Sequence, residues 1–185
     1  MHGGGPVLGL VGLRPTLDSM LPRIALRRSF SRRDPRTWRR TAKRLGSPLF
    51  ALKGGGQPRQ GGFGWGSDST YKASLVQSGP HGEVTVETAS GPHPYHDDWL
   101  LLRMWLHRAV EPDGETSFPV ELRADRWVAS VVYAGSPYEF TVVGDDGCWA
   151  AGGVVAGRSV LLEGRGPTDG LELEAVSRRA VAADA

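Results

Sequence analysis

Alternating apolar and polar residues predict a series of short β-strands in the C-terminal part of the chain. In GEVTVETAS, which starts at Gly82, Val84 and Val86 alternate with Thr85 and Glu87. A period of two places such side chains on opposite faces of a strand. The pattern recurs in FPVELRA, RWVASVVY, YEFTVV, CWAAGGVV, RSVLLE and LELEAV, with the turn signals AGSP, GDDG and VAGR between them. These segments predict an antiparallel meander with one buried face and one solvated, acidic face.

A single helix is predicted within this region, from about Asp98 to Val110, and Pro112 ends it. Asp97 or Asp98 suits the N-terminal cap, where a negative charge complements the helix dipole. At 100° per residue, one broad apolar side is expected to face the sheet and consists of Trp99, Leu101, Leu102, Trp105, Leu106, Ala109 and Val110. The opposite side is also partly apolar, and we expect it to be a surface for a partner formed by Leu100, Arg103, Met104 and His107.

These elements predict an α+β fold in which one helix packs on an antiparallel meander sheet of five to six strands. The order of strand, helix and then a run of strands resembles cystatin-like domains, in which an antiparallel sheet wraps one helix. The resemblance lies in element order and in no sequence motif, so it implies a fold and no function. The domain is expected over residues 82–177, with a disordered tail over 178–185.

The charge of the chain divides it into two parts. Residues 1–66 contain thirteen Lys or Arg and two Asp or Glu, whereas residues 67–185 contain nine and eighteen. The first part is rich in glycine and proline, which predicts a mostly disordered basic arm followed by a linker over 67–81. Arginine and glycine richness is also what GC-rich coding DNA produces, so a start codon assigned too far upstream is an alternative origin of the arm.

One short helix is predicted inside the arm, over residues 35–45. Pro35 suits the first helical position and Gly46 the C-terminal cap. Such a basic helix with an aromatic residue can bind nucleic acid, lie on an anionic membrane or rest on the acidic domain. The residues predicted to bind nucleic acid are Arg27, Arg28, Arg32, Arg33, Arg36, Trp38, Arg39, Arg40, Lys43 and Arg44.

Candidate chemistry is concentrated just before the predicted C-terminal helix. His93, His96 and Asp97 could converge on a metal ion, since imidazole and carboxylate are zinc ligands. His107 lies eleven residues after His96, roughly 16 Å along a helix axis, and cannot join them. The sequence contains no complete catalytic set, so no enzyme activity and no cofactor are expected.

The single cysteine, Cys148, cannot form an intramolecular disulfide, and no apolar run is long enough for a membrane span. A cytoplasmic location is therefore expected. Gly152 and Gly153, within a predicted strand, indicate a bulge or a close approach to the backbone. The favoured function is a non-enzymatic protein-interaction module, with a protein partner or self-association. The alternatives are nucleic-acid binding through the arm and a small-ligand or metal site at His93, His96 and Asp97.

Overall fold

The computed structural model describes residues 35–46, 48–65, 70–91, 95–109, 124–145 and 147–183, with the backbone alone at 35, 63–65 and 105–109. Within these residues the fold is mostly β, with two α-helices and nine strands. The elements in chain order are α1 (Pro35–Leu45), β1 (Leu49–Leu52), β2 (Arg59–Trp65), β3 (Tyr71–Gly79), β4 (Gly82–Ala89), α2 (Asp97–Ala109), β5 (Asp125–Tyr133), β6 (Ser136–Gly144), β7 (Cys148–Val155), β8 (Arg158–Arg165), β9 (Glu172–Val176) and a 3-10 helix (Arg178–Ala180).

All nine strands belong to one mixed sheet, in the order β1-β9-β5-β6-β7-β8-β4-β3-β2. Strands β5 to β8 form an antiparallel meander, and β4 extends it by pairing with β8. Strand β9 instead crosses to the far side of the meander and pairs parallel with β5. The predicted fold of one helix on a five- to six-stranded antiparallel meander behind a disordered arm is therefore wrong.

The turns of the meander follow directly from local sequence. Ala134 and Gly135 join β5 to β6 with φ of 50° and 79°, and Ala156 and Gly157 join β7 to β8 with φ of 49° and 77°. Two consecutive residues with positive φ are the geometry of a type I′ hairpin turn, whose twist matches that of the flanking strands. Glycine adopts this conformation without the penalty that a Cβ atom introduces.

The sheet curls until its two ends approach each other. The free edge of β1 faces β3 and β4. Thr88 Oγ1 accepts a hydrogen bond from the Phe50 amide at 3.1 Å. The Gln77 side chain accepts one from the Leu52 amide at 2.7 Å and donates to the Leu52 and Gly56 carbonyl oxygens. Side chains thus complete the hydrogen bonding at the seam of a curled, half-barrel sheet.

The inner face of the curled sheet carries the largest hydrophobic core. Its residues come from every strand except β2 and β3, and the bulkiest fully buried ones are Phe50, Phe140, Trp149 and Leu162. Both helices lie outside this core. Helix α1 packs on β2 and β3, with Leu49 and Ala51 of β1 in the same buried cluster, and α2 packs on the outer face of β6, β7 and β8.

The folded part of the chain includes residues that the sequence assigned to the basic arm and the linker. Helix α1, β1 and β2 lie within residues 1–66, and β3 lies within 67–81. Strand β3 was not predicted because both of its faces are buried from Lys72 to Leu75, which removes the alternation of polar and apolar residues. The segment FPVELRA lies outside the described residues, except for Ala124.

Candidate functional site

Helix α1 is anchored by one apolar side. Trp38, Ala42 and Leu45 are buried against Leu49 and Leu75. The Trp38 indole also donates a hydrogen bond of 3.0 Å to the Ser74 carbonyl oxygen. At the other end, Gly46 has a φ of 81° and its amide bonds to the Ala42 carbonyl oxygen, which is a left-handed C-terminal cap. The helix is therefore fixed in orientation on the sheet.

The opposite side of α1 carries the basic residues. Arg36, Arg39, Arg40 and Lys43 are all exposed. At 100° per residue they form one stripe whose centre lies about 110° from the nearest buried position, Ala42. The stripe is about 10 Å long, at 1.5 Å per residue. We call these four residues the basic stripe. Among the described residues, no carboxylate pairs with Arg39, Arg40 or Lys43.

Two of the predicted arm residues have structural roles instead. Arg44 donates to the Tyr71 hydroxyl at 3.2 Å and lies over its ring. Trp38 is 1% exposed, so its ring is not accessible to a nucleic-acid base. Arg27, Arg28, Arg32 and Arg33 lie outside the described residues.

The predicted partner surface on α2 is placed mostly inside the protein. Leu100 and Met104 are fully buried against Val143, Ala150 and Leu161. They pack on the sheet together with Leu101, so of the side expected to face the sheet only Leu101 shares this cluster. The His107 side chain lies outside the described residues.

Arg103 points toward the sheet, where it contacts the carboxylates of two buried residues, Glu163 and Glu87. It donates through Nε and Nη2 to the two carboxylate oxygens of Glu163, the second at 2.7 Å, and its Nη1 lies 3.8 Å from Glu87 Oε2. Burial alone lowers the pKa of Arg103, but the charges of Glu163 and Glu87 outweigh it and raise that pKa above its usual value. A guanidinium bound by both nitrogens to a carboxylate is a strong and directional contact. The predicted solvated, acidic face is therefore covered by α2 at these two residues.

Tyr95 and Lys72 complete this polar cluster. The Tyr95 hydroxyl donates to Glu87 Oε1 at 3.3 Å, and burial together with the Glu87 charge raises the Tyr95 pKa well above its usual value of 10.0. The Lys72 ammonium lies 5.4 Å from the Tyr95 ring centre and 5.5 Å from that of Trp99. We call Lys72, Glu87, Tyr95, Arg103 and Glu163 the buried ionic cluster. Its two cations balance its two carboxylates, and Arg103 joins α2 to the sheet through both carboxylates.

The predicted metal ligands do not form a site within the described residues. His96 is exposed, and Asp97 pairs with Arg126 at 2.7 Å. His93 lies outside the described residues. In the part of the chain that the structure describes, no group of three or more His, Cys, Asp or Glu side chains could hold a metal ion. Cys148 is buried beside Val143 and Leu161 as part of the packing under α2.

The two glycines of β7 allow aromatic rings to approach the backbone. A Cβ atom on Gly152 would lie 2.7 Å from the Tyr95 Cβ, and one on Gly153 would lie 2.6 Å from the Phe140 ring. The predicted close approach is therefore made by the protein's own side chains. Gly152 in particular allows Tyr95 to reach the buried ionic cluster.

Sequence reasoning missed residues whose partners are distant along the chain. Arg178 and Arg179 stand beside α1, although more than 130 residues separate them. In the sequence, Glu87 and Glu163 occupy polar positions of predicted strands, which predicts that they face solvent. Because β4 pairs with β8, both carboxylates instead lie under α2. A charged residue that directly follows an apolar run, as in VLLE, was the available signal for Glu163.

Comparison with protein-family models, with curated proteins and with solved structures finds no match to this chain. No helix in the described ranges is long and apolar enough to cross a lipid bilayer.

Proposed function

We propose that this chain is a non-enzymatic binding module that holds nucleic acid through the basic stripe of α1. The observation that carries the proposal is a helix with one fully buried side and an exposed stripe of cations, three of which have no carboxylate partner among the described residues. Phosphate backbones attract such stripes and release counterions on binding. A stripe of about 10 Å spans about three phosphates of one strand at 3.4 Å each.

The placement of α1 favours a nucleic acid over a membrane. A helix that lies on a membrane buries its apolar side among lipid chains. In α1 that side is already buried, since Trp38 and Ala42 are 1% and 2% exposed. Only electrostatic attraction would remain for a lipid surface.

The position of α2 weakens the hypothesis, made from the sequence, that one side of this helix is a surface for a protein partner. Leu100 and Met104 contribute to the core, and Arg103 is engaged by two carboxylates. Among the described residues the exposed large hydrophobic side chains are Val128 and Val154, and isolated valines of this kind are ordinary on protein surfaces. A protein partner or self-association therefore ranks second to nucleic acid, and a cytoplasmic location suits either.

The test is binding of a labelled 20-base-pair DNA duplex, measured by fluorescence anisotropy between 50 and 200 mM KCl. The triple variant Arg39→Gln, Arg40→Gln, Lys43→Gln removes three exposed cations without touching the buried side. Deletion of residues 1–66 is not an equivalent test, because it also removes β1 and β2. If each cation contacts one phosphate, the slope of log K against log salt becomes flatter by about 2–3.

The control is the triple variant Lys53→Gln, Arg126→Gln, Arg165→Gln, which removes one lysine just after β1 and two arginines from strands β5 and β8. It is expected to bind like the wild type. Absence of binding by the intact chain, or equal losses in both variants, contradicts the proposal. Tighter binding to phosphatidylserine vesicles than to the duplex would assign the basic stripe to a membrane surface instead.

A further inference from the structure

The C-terminal 3-10 helix lies against α1 and is held there by three contacts. Val181 is buried in the same cluster as Trp38, Ala42 and Leu45. The backbone of Ala182 exchanges two hydrogen bonds of 3.0 Å with β2 and the residue before it, one with Gln60 and one with Pro58. These contacts place Arg178 and Arg179 beside α1 in a defined position.

Arg178 and Arg179 extend the positively charged surface that the basic stripe forms. Helix α1 and the 3-10 helix together hold seven basic residues and no acidic residue. Arg179 is exposed, Arg178 is half-buried, and neither has a carboxylate partner within the described part of the chain.

We infer that Arg178 and Arg179 belong to the same phosphate-binding surface as the basic stripe, and that its ligand is a nucleic-acid duplex. The inference rests on the proposed function. Two cationic elements side by side offer contacts to more than one row of phosphates, which a duplex presents on its two strands. Binding of single strands relies on exposed aromatic rings that stack with bases. The one aromatic residue of α1 is the buried Trp38, and the 3-10 helix has none.

The experiment compares the wild type with Arg178→Gln, Arg179→Gln, using the same labelled duplex and its single strand. Loss of two phosphate contacts is expected to weaken duplex binding about 10- to 60-fold at 0.1 M salt and to flatten the salt slope by roughly 1.8. The wild type is expected to bind the duplex more tightly than the single strand. Arg178→Lys, Arg179→Lys keeps both charges and is expected to retain most of the duplex affinity.

Each outcome decides a different point. Wild-type affinity in Arg178→Gln, Arg179→Gln, together with a loss in the α1 triple variant, overturns this inference and leaves the proposed function standing. Tighter binding of the single strand overturns the assignment of a duplex. No binding by the wild type overturns both proposals. Arg126→Gln, Arg165→Gln is the matched control for charge, and circular dichroism melting verifies that each variant is folded.

Discussion

At the scale of single residues, Arg103 has the largest effect on how the molecule is assembled. Its guanidinium joins α2 to β8 through Glu163 and to β4 through Glu87. The side chains of all three residues are at most 17% exposed. Removal of one partner from a buried ion pair is costly because the remaining charge stays buried without compensation.

Replacement of Arg103 by methionine is therefore expected to lower the free energy of unfolding by roughly 3–5 kcal/mol. Urea denaturation followed by circular dichroism measures this change. Arg126→Met is the matched control, because that side chain is 63% exposed in its pair with Asp97 and is expected to lose at most about 1 kcal/mol. Similar losses in the two variants would show that the buried ionic cluster does not hold α2.

Tyr95 gives the molecule a pH dependence in the alkaline range. Its pKa in the folded protein lies well above 10.0, whereas in the unfolded chain it has the usual value. Above pH 10 the unfolded state therefore releases a proton that the folded state retains, and stability falls as the pH rises toward the folded pKa. We expect Tyr95→Phe to lose less stability than the wild type between pH 9 and pH 11, as measured by urea denaturation.

The control for this experiment is Tyr138→Phe, which removes a hydroxyl on β6 outside the buried ionic cluster. It should follow the wild-type pH dependence. Identical curves for the wild type and Tyr95→Phe would mean that Tyr95 ionises in the folded state as readily as in the unfolded chain.

At the scale of elements, local sequence predicted strands β4 to β9 and helix α1. Strands β4 to β9 coincide with the segments of period two, and α1 has the bounds that Pro35 and Gly46 indicate. Strand β2 was missed because RQGGFGW contains three glycines and reads as a linker. Helix α2 is apolar around most of its circumference, so periodicity alone could not select the side that faces the sheet. The side of α2 that faces the sheet depends on the contacts of Arg103 with Glu87 of β4 and Glu163 of β8.

At the scale of the whole molecule, the order of the strands could not be predicted from the sequence. The parallel pairing of β9 with β5 and the seam at β1 join segments that no local pattern connects. The candidate site was predictable only in part. The basic stripe follows from the spacing of residues within α1. The position of Arg178 and Arg179 instead depends on the packing of the segment after β9 against α1.

At Leu52, the seam of the sheet depends on the amide side chain of Gln77. Gln77 bonds to the Leu52 amide and carbonyl and to the Gly56 carbonyl, and it is 1% exposed. Gln77→Met keeps the length of the side chain but leaves these groups without partners. The expected loss is about 2–4 kcal/mol of unfolding free energy, with faster hydrogen exchange at the Leu52 amide.

Gln57→Met is the control for this substitution, because Gln57 is exposed in the loop before β2. It is expected to change neither quantity. Unchanged exchange at Leu52 in Gln77→Met would show that Gln77 does not protect the Leu52 amide.

The contact between α1 and the segment after β9 has a consequence for how the protein is made. The edges of β1 face β9 on one side and β3 and β4 on the other, and Trp38 shares its cluster with Val181. During translation, at about 5–20 residues per second, the 143 residues from Trp38 to Val181 take roughly 7–30 s to add. The apolar side of α1 therefore gains Val181 as a partner only after that interval. A chain interrupted before Leu171 lacks β9, the strand that pairs with both β1 and β5, so β1 is not yet joined to the meander.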